Sequence, residues 1–480
     1  MNRVRPAVLA ALVLATPAAA ATIVGKPGAT VVRGTAKADR IDAADGKRQQ
    51  VLCGKGRDFA LVDELDRTSG CETVARRVAV DTTSGAGGQH RTLLEPQLAA
   101  SGSTVVGVFQ SGRHQLAGAD AIGFAVSHDA GRTWKAGVLP GFDGWDSKSN
   151  ASVAWDAAHG RWLAEAAVLD DTAGGVLVSS SADGLSWAPP VTAVRLTRSG
   201  PTDAAFDKPW IACDDTPSSP RYGRCYLLVS LDVTLPSARI AVWTSDDGGA
   251  TWTQTTARLP AGNGSQPAVL PDGTLVVVYT DLAEEAWVEA VRSTDGGATF
   301  SPPVRVSPEQ IGEHVADGLR APLFPSLART PGGGLALVWP DCGASASCSR
   351  SQLLLSRSAD GAAWSAPQPL PLGAAGDDLS PGLAVDPQSG RLAVAYVVSW
   401  GSRCCQLDVR LAVQQANGRW SVTQADVRSL AKGWTATSPG AFLGDYLAAA
   451  WSDGHAVALL PVARPPRGGR LSQDLYAVRS

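Results

Sequence analysis

From about residue 77 onward, apolar and polar positions alternate in short runs rich in Val, Leu, Ala and Trp, each broken by Gly, Pro or Asp. A period of two between turn residues is the pattern of strands with one face buried, so this stretch is expected to be all-β. Runs such as "TLVVVYT", "AWVEAVRS" and "FSPPVRVS" follow one another closely enough to predict successive antiparallel strands.

The strands recur. Runs carrying a residue, usually Pro, any residue, an aliphatic and usually Ala start at Glu95 ("EPQLA"), Asn150 ("NASVA"), Lys208 ("KPWIA"), Gln266 ("QPAVL"), Phe324 ("FPSLA"), Ser380 ("SPGLA") and Gly444 ("GDYLA"). The intervals are 55, 58, 58, 58, 56 and 64 residues, an internal repeat over the whole remaining chain. Four strands per repeat predict a β-propeller of four-stranded blades, seven by repeat count with six as the alternative. The last repeat ends after about three strands, and "TVARRVAV" from Thr73 to Val80 has no repeat of its own. That N-terminal strand is therefore expected to complete the final sheet.

Ahead of this region the period is near nine: residues 25–33, "GTAKADRID" from Gly34 and "CGKGRDFAL" from Cys53, with apolar Val32, Ile41 and Ala60 at one offset. A parallel roll stacks one inward residue per half-turn in this way, which predicts a small β-roll-like cap. With Gly54, Gly56 and Asp58 in place, the segment resembles the hemolysin-type calcium-binding nonapeptide. The resemblance makes Asp39 and Asp58 the candidate calcium ligands; a disulfide-closed structural cap is the other reading, because each turn brings only about one carboxylate.

An octapeptide marks the repeats: "SHDAGRTW" at Ser127, "SADGLSW" at Ser181, "SDDGGATW" at Ser245, "STDGGATF" at Ser293 and "SADGAAW" at Ser358, with a degenerate "QANGRW" at Gln415. The acids Asp129, Asp183, Asp247, Asp295 and Asp360 occupy equivalent places before the last strand of their repeats. Five such acids cannot converge on one substrate. Asp accepting backbone N–H groups, Gly at positive φ and an aromatic residue folding back describe a hairpin turn. The octapeptides resemble the Asp boxes, or bacterial neuraminidase repeats, of the sialidase superfamily, and the resemblance spans most of residues 90–480. "DKPWIACD" at Asp207 and "FLGDYLAAAW" at Phe442 are similar to phrases in secreted bacterial proteins grouped with exo-sialidases.

That resemblance implies a channel mouth where the repeat starts converge, and a sialidase-like glycoside hydrolase acting there on extracellular glycans. Such an enzyme needs three arginines for the substrate carboxylate, a Tyr activated by a Glu, and an acid/base Asp. The candidates are Tyr446, Asp207 and Glu95 for catalysis, and Arg91, Arg320, Lys208, Asn150, Gln266 and Asp445 for substrate binding. Two features speak against catalysis. The expected Arg-Ile-Pro stretch reads "HRTLLEPQLA", with a carboxylate at Glu95, and no partner Glu is evident for Tyr446. The alternative is a non-catalytic propeller that binds glycan or protein, with Tyr446 as packing, Asp207 and Lys208 as an ion pair, and the arginines solvated.

Composition narrows the setting. Net charge is −3, with 42 Lys plus Arg against 45 Asp plus Glu and no long single-sign run, so neither nucleic acid nor an anionic membrane is an expected partner. "MNRVRPAVLAALVLATPAAAAT" has Arg3 and Arg5, an apolar run and an Ala-x-Ala site, the pattern of a signal peptide over residues 1–21. No run is long enough for a membrane helix. The expected organisation is a roll segment at 22–76 and the repeat domain at 77–480, in a secreted monomer that meets an extracellular glycan or glycoprotein and requires no cofactor, calcium aside. Eight cysteines suit export. Spacing suggests Cys53 with Cys71, Cys213 with Cys225 and Cys342 with Cys348, leaving adjacent Cys404 and Cys405 either paired together or bonded elsewhere. No Gly-x-Ser-x-Gly elbow, phosphate-binding loop or zinc spacing is present.

Overall fold

The Val and Ile positions of the nine-residue pattern stack in register, coil over coil. Ile23 pairs with Ile41 and Ile41 with Ala60 along one parallel ladder, built from Ala21–Val24, Asp39–Asp42 and Phe59–Val62. Val31–Arg33, Gln50–Leu52 and Arg67–Ser69 form the second, where Val32 lies beside Val51. Their apolar side chains close a small core of Val32, Ile41, Val51, Cys53 and Ala60. Glycine is needed where coils touch: a Cβ on Gly34 would lie 1.9 Å from the Cys53 carbonyl oxygen. The computed structural model describes residues 21–26, 28–83, 88–197, 206–232, 238–281, 287–307, 318–342, 350–373, 376–400, 406–466 and 468–480. The leader stretch before Ala21 and Cys348, Cys404 and Cys405 lie outside them. Contacts divide the chain into two units, residues 1–74 and 75–480.

Cys53 and Cys71 are bonded across the last coil, and Cys213 and Cys225 across neighbouring strands of the third repeat. Cys342 is also disulfide-bonded. Closing a loop of 18 residues limits the unfolded chain, so Cys53→Ser is expected to cost the coil unit about 3 kcal/mol. Hydrogen exchange of amides 31–69 measures it: protection should fall there and stay unchanged beyond residue 100.

The second unit is antiparallel and all-β. Among the described residues there is no α-helix, and a single 3-10 turn spans Lys432–Trp434. The third repeat builds a sheet from Phe206–Cys213, Cys225–Leu231, Arg239–Ser245 and Thr253–Gln254, and the fourth, fifth and sixth repeats each build a separate sheet likewise. The first, second and seventh repeats do not. Ala119 pairs with Lys148, carrying the first repeat's ladder into the second, and Gln473 pairs in parallel with Thr92, joining the seventh to the first.

The expected propeller of seven, or six, self-contained four-stranded blades is therefore corrected: the chain is a β-solenoid of stacked coils together with several sheets of unequal size. Repeat spacing counts strands, but ladder hydrogen bonds between repeats decide where one sheet ends. The strand Thr73–Ala79 does pair with the last strand, Ala75 opposite Val478 and Ala79 opposite Leu475, as its lack of a repeat predicted.

Successive repeats are also stapled by side chains. Gln97 accepts the Val153 N–H at 2.9 Å, Ser152 the Ile211 N–H at 3.0 Å, Gln266 the Leu327 N–H at 2.8 Å and Ser326 the Leu383 N–H at 2.9 Å. In the third repeat the corresponding residue is Trp210, which has no oxygen to accept. Its counterpart in the next repeat is Pro267, which has no N–H to give, so neither group is left unsatisfied.

Candidate functional site

The first strands of five repeats carry a bulge, and the residue in it takes a left-handed backbone: Glu95 (φ 50°), Asn150 (50°), Lys208 (45°), Gly264 (64°) and Ser380 (49°). Such backbones are uphill for residues with a Cβ and persist where packing over-determines them. The register corrects one expectation. Gly264, not Gln266, is the fourth repeat's counterpart of Glu95, and Gln266 serves as an inter-repeat staple instead of joining the centre.

The bulges bring distant residues together. The Lys208 ammonium, 2 % exposed, donates to Asp445 at 2.7 Å, to the Asn150 amide oxygen at 2.9 Å and to Glu95 at 3.2 Å. Arg320 forks onto both Asp445 oxygens at 2.7 and 2.6 Å. Glu95 also accepts the Asp445 backbone N–H and the Gln110 amide. Asp207 takes the amides of Asn150 at 2.8 Å and Asn263 at 3.0 Å, and Gln110 in turn accepts from Arg113 at 3.0 Å. Arg113 and Arg320 both lie over the Phe442 ring, 4.9 and 5.1 Å from its centre.

The charges balance: Lys208, Arg320 and Arg113 face Glu95, Asp445 and Asp207. Burial disfavours each ion, but pairing outweighs it for Asp445, Lys208 and Arg320, the last held above its usual value by its hydrogen bonds to Asp445. Asp445 is held well below the usual carboxylate range by Lys208 and Arg320, and Lys208 is held above its usual value by Asp445, Glu95 and Asp207. Arg113 goes the other way, lowered by burial and further by Arg320 despite Glu95. The guanidinium of Arg320 is about a third exposed and forms the outward edge of the cluster.

Tyr446 sits beneath, 4 % exposed, with its ring edge-on to Trp210 at 5.2 Å. Its hydroxyl donates to the Ala151 carbonyl at 3.4 Å. Burial, then the charges of Glu95 and Glu165, push the phenol well above its usual value, so it keeps its proton. Glu165 is itself fully buried, bonded by the Ser152 hydroxyl at 2.6 Å, and raised by burial. Arg91 stands apart: it is exposed, its backbone N–H is bound to Asp81 at 2.8 Å, and its charge acts on Asp474.

Thus Glu95, Asn150, Asp207, Lys208, Arg320 and Asp445 come together, with Tyr446 below them, whereas Arg91 and Gln266 do not join them. Sequence reasoning missed Gln110, Arg113, Asn263, Phe442 and Glu165. Arg113 lies on a second strand, outside the aligned starts, and Asn263 was hidden by the two-residue misalignment of its repeat.

The octapeptide acids serve their own turns. Asp247 accepts from Ser245, from the Thr251 N–H and from the Thr251 hydroxyl at 2.8, 2.9 and 2.6 Å, and Trp252 closes the turn onto Gly249 O at 3.1 Å. Asp129 and Asp295 repeat this set, and Asp183 and Asp360 hold shorter versions. In the coil unit, Asp58 accepts the Asp39 N–H at 2.7 Å, and Asp39 accepts the Thr35 N–H and hydroxyl. Among the described residues no group of three His, Cys, Asp or Glu side chains is placed to hold a metal ion.

No family model and no curated protein matches the chain. Solved structures with a similar course include a Dyadobacter fermentans protein of unknown function (TM-score 0.44, 15% identity, 69% of this chain and 94% of that one). A leech intramolecular trans-sialidase gives 0.44 and 14% over 66% and 67%, and a Fusarium graminearum α-L-arabinofuranosidase 0.44 and 14% over 85% and 97%. At that similarity the likeness carries no inference about activity. No helix among the described residues is long and apolar enough to cross a membrane.

Proposed function

We propose that this chain is an exported, non-catalytic recognition protein that binds an extracellular glycan or glycoprotein beside Arg320. One observation carries the choice of binder over hydrolase. All six oxygens of Glu95, Asp207 and Asp445 accept hydrogen bonds from neighbouring side chains or backbone, and the Tyr446 phenol is buried with its proton. Glu95 and Asp445, each 1 % exposed, are tied to Lys208 and Arg320, so acting as a general base or nucleophile would first require breaking those ion pairs. The half-buried Asp207, Asn263 and Trp210 and the outward Arg320 supply the polar and stacking groups that a sugar face takes. The Asp-box resemblance supports a glycan ligand, and the leader-like N-terminus with the two described disulfides supports export.

Purified protein on a glycan array, with a fluorogenic sialoside assayed in parallel, tests this. Array binding without release of the fluorophore is the expected result, and Arg320→Ala should weaken it. Steady release would overturn the reading in favour of a hydrolase.

A further inference from the structure

The three cations at the repeat starts are each committed to partners inside the protein. Lys208 lies between Glu95 and Asp445, and Arg320 donates Nε to one Asp445 oxygen and Nη2 to the other. Arg113 is 4 % exposed and turned to Gln110, Ser438 and the Leu116 carbonyl. With Glu95, Asp445 and Asp207 opposite them, the three positive charges meet three negative ones.

The groups still within reach of solvent are of three kinds. Asp207 is half-buried; its Oδ1 takes the Asn150 amide and the Lys208 backbone N–H, whereas its Oδ2 takes the Asn263 amide alone among the described residues and keeps an acceptor position. Arg320 keeps Nη1, which makes only a long bond of 3.5 Å to the Ser438 carbonyl among the described residues. Phe324 is half-buried against the bulge at Gly264, where a Cβ would lie 2.4 Å from its ring. A sugar hydroxyl both donates and accepts, so it suits Asp207 and Arg320 together, and a sugar's C–H face suits an aromatic ring. A carboxylate only accepts. It would add a fourth negative charge to a balanced cluster, beside Asp207, whose charge already acts on Arg320.

We infer that the ligand at this site is an uncharged sugar, and that glycans ending in sialic or uronic acid are rejected. The inference rests on the glycan-binding reading and gives that site its ligand class. An acid sugar is recognised by guanidinium groups in excess of the acids around them, and here there is no excess. Half-buried Asp207 is the anion that an approaching carboxylate meets first, which makes it the residue that sets the preference.

The test is an array that pairs each neutral glycan with the same glycan capped by sialic acid or carrying a uronate in place of a hexose, followed by calorimetric titration of the pairs that bind. The neutral member is expected to bind about tenfold tighter, the effect of one unmatched unit charge roughly 10 Å away at an effective dielectric constant of about 20. Asp207→Asn, with a melting curve like the parent's, should narrow that gap. Equal or tighter binding of the acidic members by the parent overturns the inference and leaves the glycan site standing; this comparison decides even where the variant does not fold. An unchanged gap in folded Asp207→Asn overturns the role given to Asp207 and with it the placement of the preference at this site. Binding of no member of any pair would defeat the glycan-binding reading itself, and this inference with it.

Discussion

Lys208→Met is expected to lower folding stability by about 3–5 kcal/mol, the range found when one member of a buried ion network is removed. Methionine keeps the apolar stem but leaves Glu95 and Asp445, each 1 % exposed, without the ammonium between them. Arg320 still holds Asp445, and Gln110 still reaches Glu95, so Glu95 becomes the less compensated acid. Adding Glu95→Gln should therefore recover part of the loss, and urea unfolding of both single variants and the double variant yields the coupling. A loss below 1 kcal/mol for Lys208→Met would mean that the cluster is solvated in solution.

The second large effect is a stability that declines as pH rises, traceable to Asp378. This carboxyl is 2 % exposed; its Oδ2 is 3.4 Å from Arg350, and its Oδ1 has no partner among the described residues. Burial outweighs Arg350 and Arg410 and pushes the group up to about 7. In the unfolded chain an aspartate releases its proton near 4. The native state thus holds this proton more tightly than the unfolded state. Its contribution is complete below about pH 4 and is lost progressively up to about pH 7, where the native carboxyl also ionises. Three units correspond to a ceiling on the order of 4 kcal/mol. Asp378→Asn keeps the shape without the charge, so its melting temperature should match the parent near pH 4 and exceed it at pH 8. Parallel curves for the two proteins across that range would show that Asp378 ionises freely.

The sequence carried some of these features and concealed others. The local cysteine pairs Cys53–Cys71 and Cys213–Cys225 were visible as spacing, because short loops bring their ends together at small entropic cost. The partner of Thr73–Ala79 followed from counting strands. The bulge register did not follow: "GNGSQPAVL" aligns on its proline, yet the left-handed residue is Gly264, and that two-residue slip put Gln266 in the wrong role and hid Asn263. Arg113 gave no signal, since an arginine in a hairpin resembles any solvated arginine until Phe442 and Gln110 close around it.

By itself, the amino-acid sequence determined what nearest neighbours along the chain control: alternating strands, glycine-bearing turns closed by Asp and Trp, and coils built from two half-turns of about nine residues each. These depend on backbone sterics and hydrogen bonds within a few residues. Only the tertiary structure decided which strands share a sheet and which charges meet. Lys208 and Asp445 are 237 residues apart, and Glu95 and Lys208 are 113 apart. Contacts at such separations depend on the packing of whole repeats, and a bulge displaced by two residues is enough to exchange a central side chain for a staple.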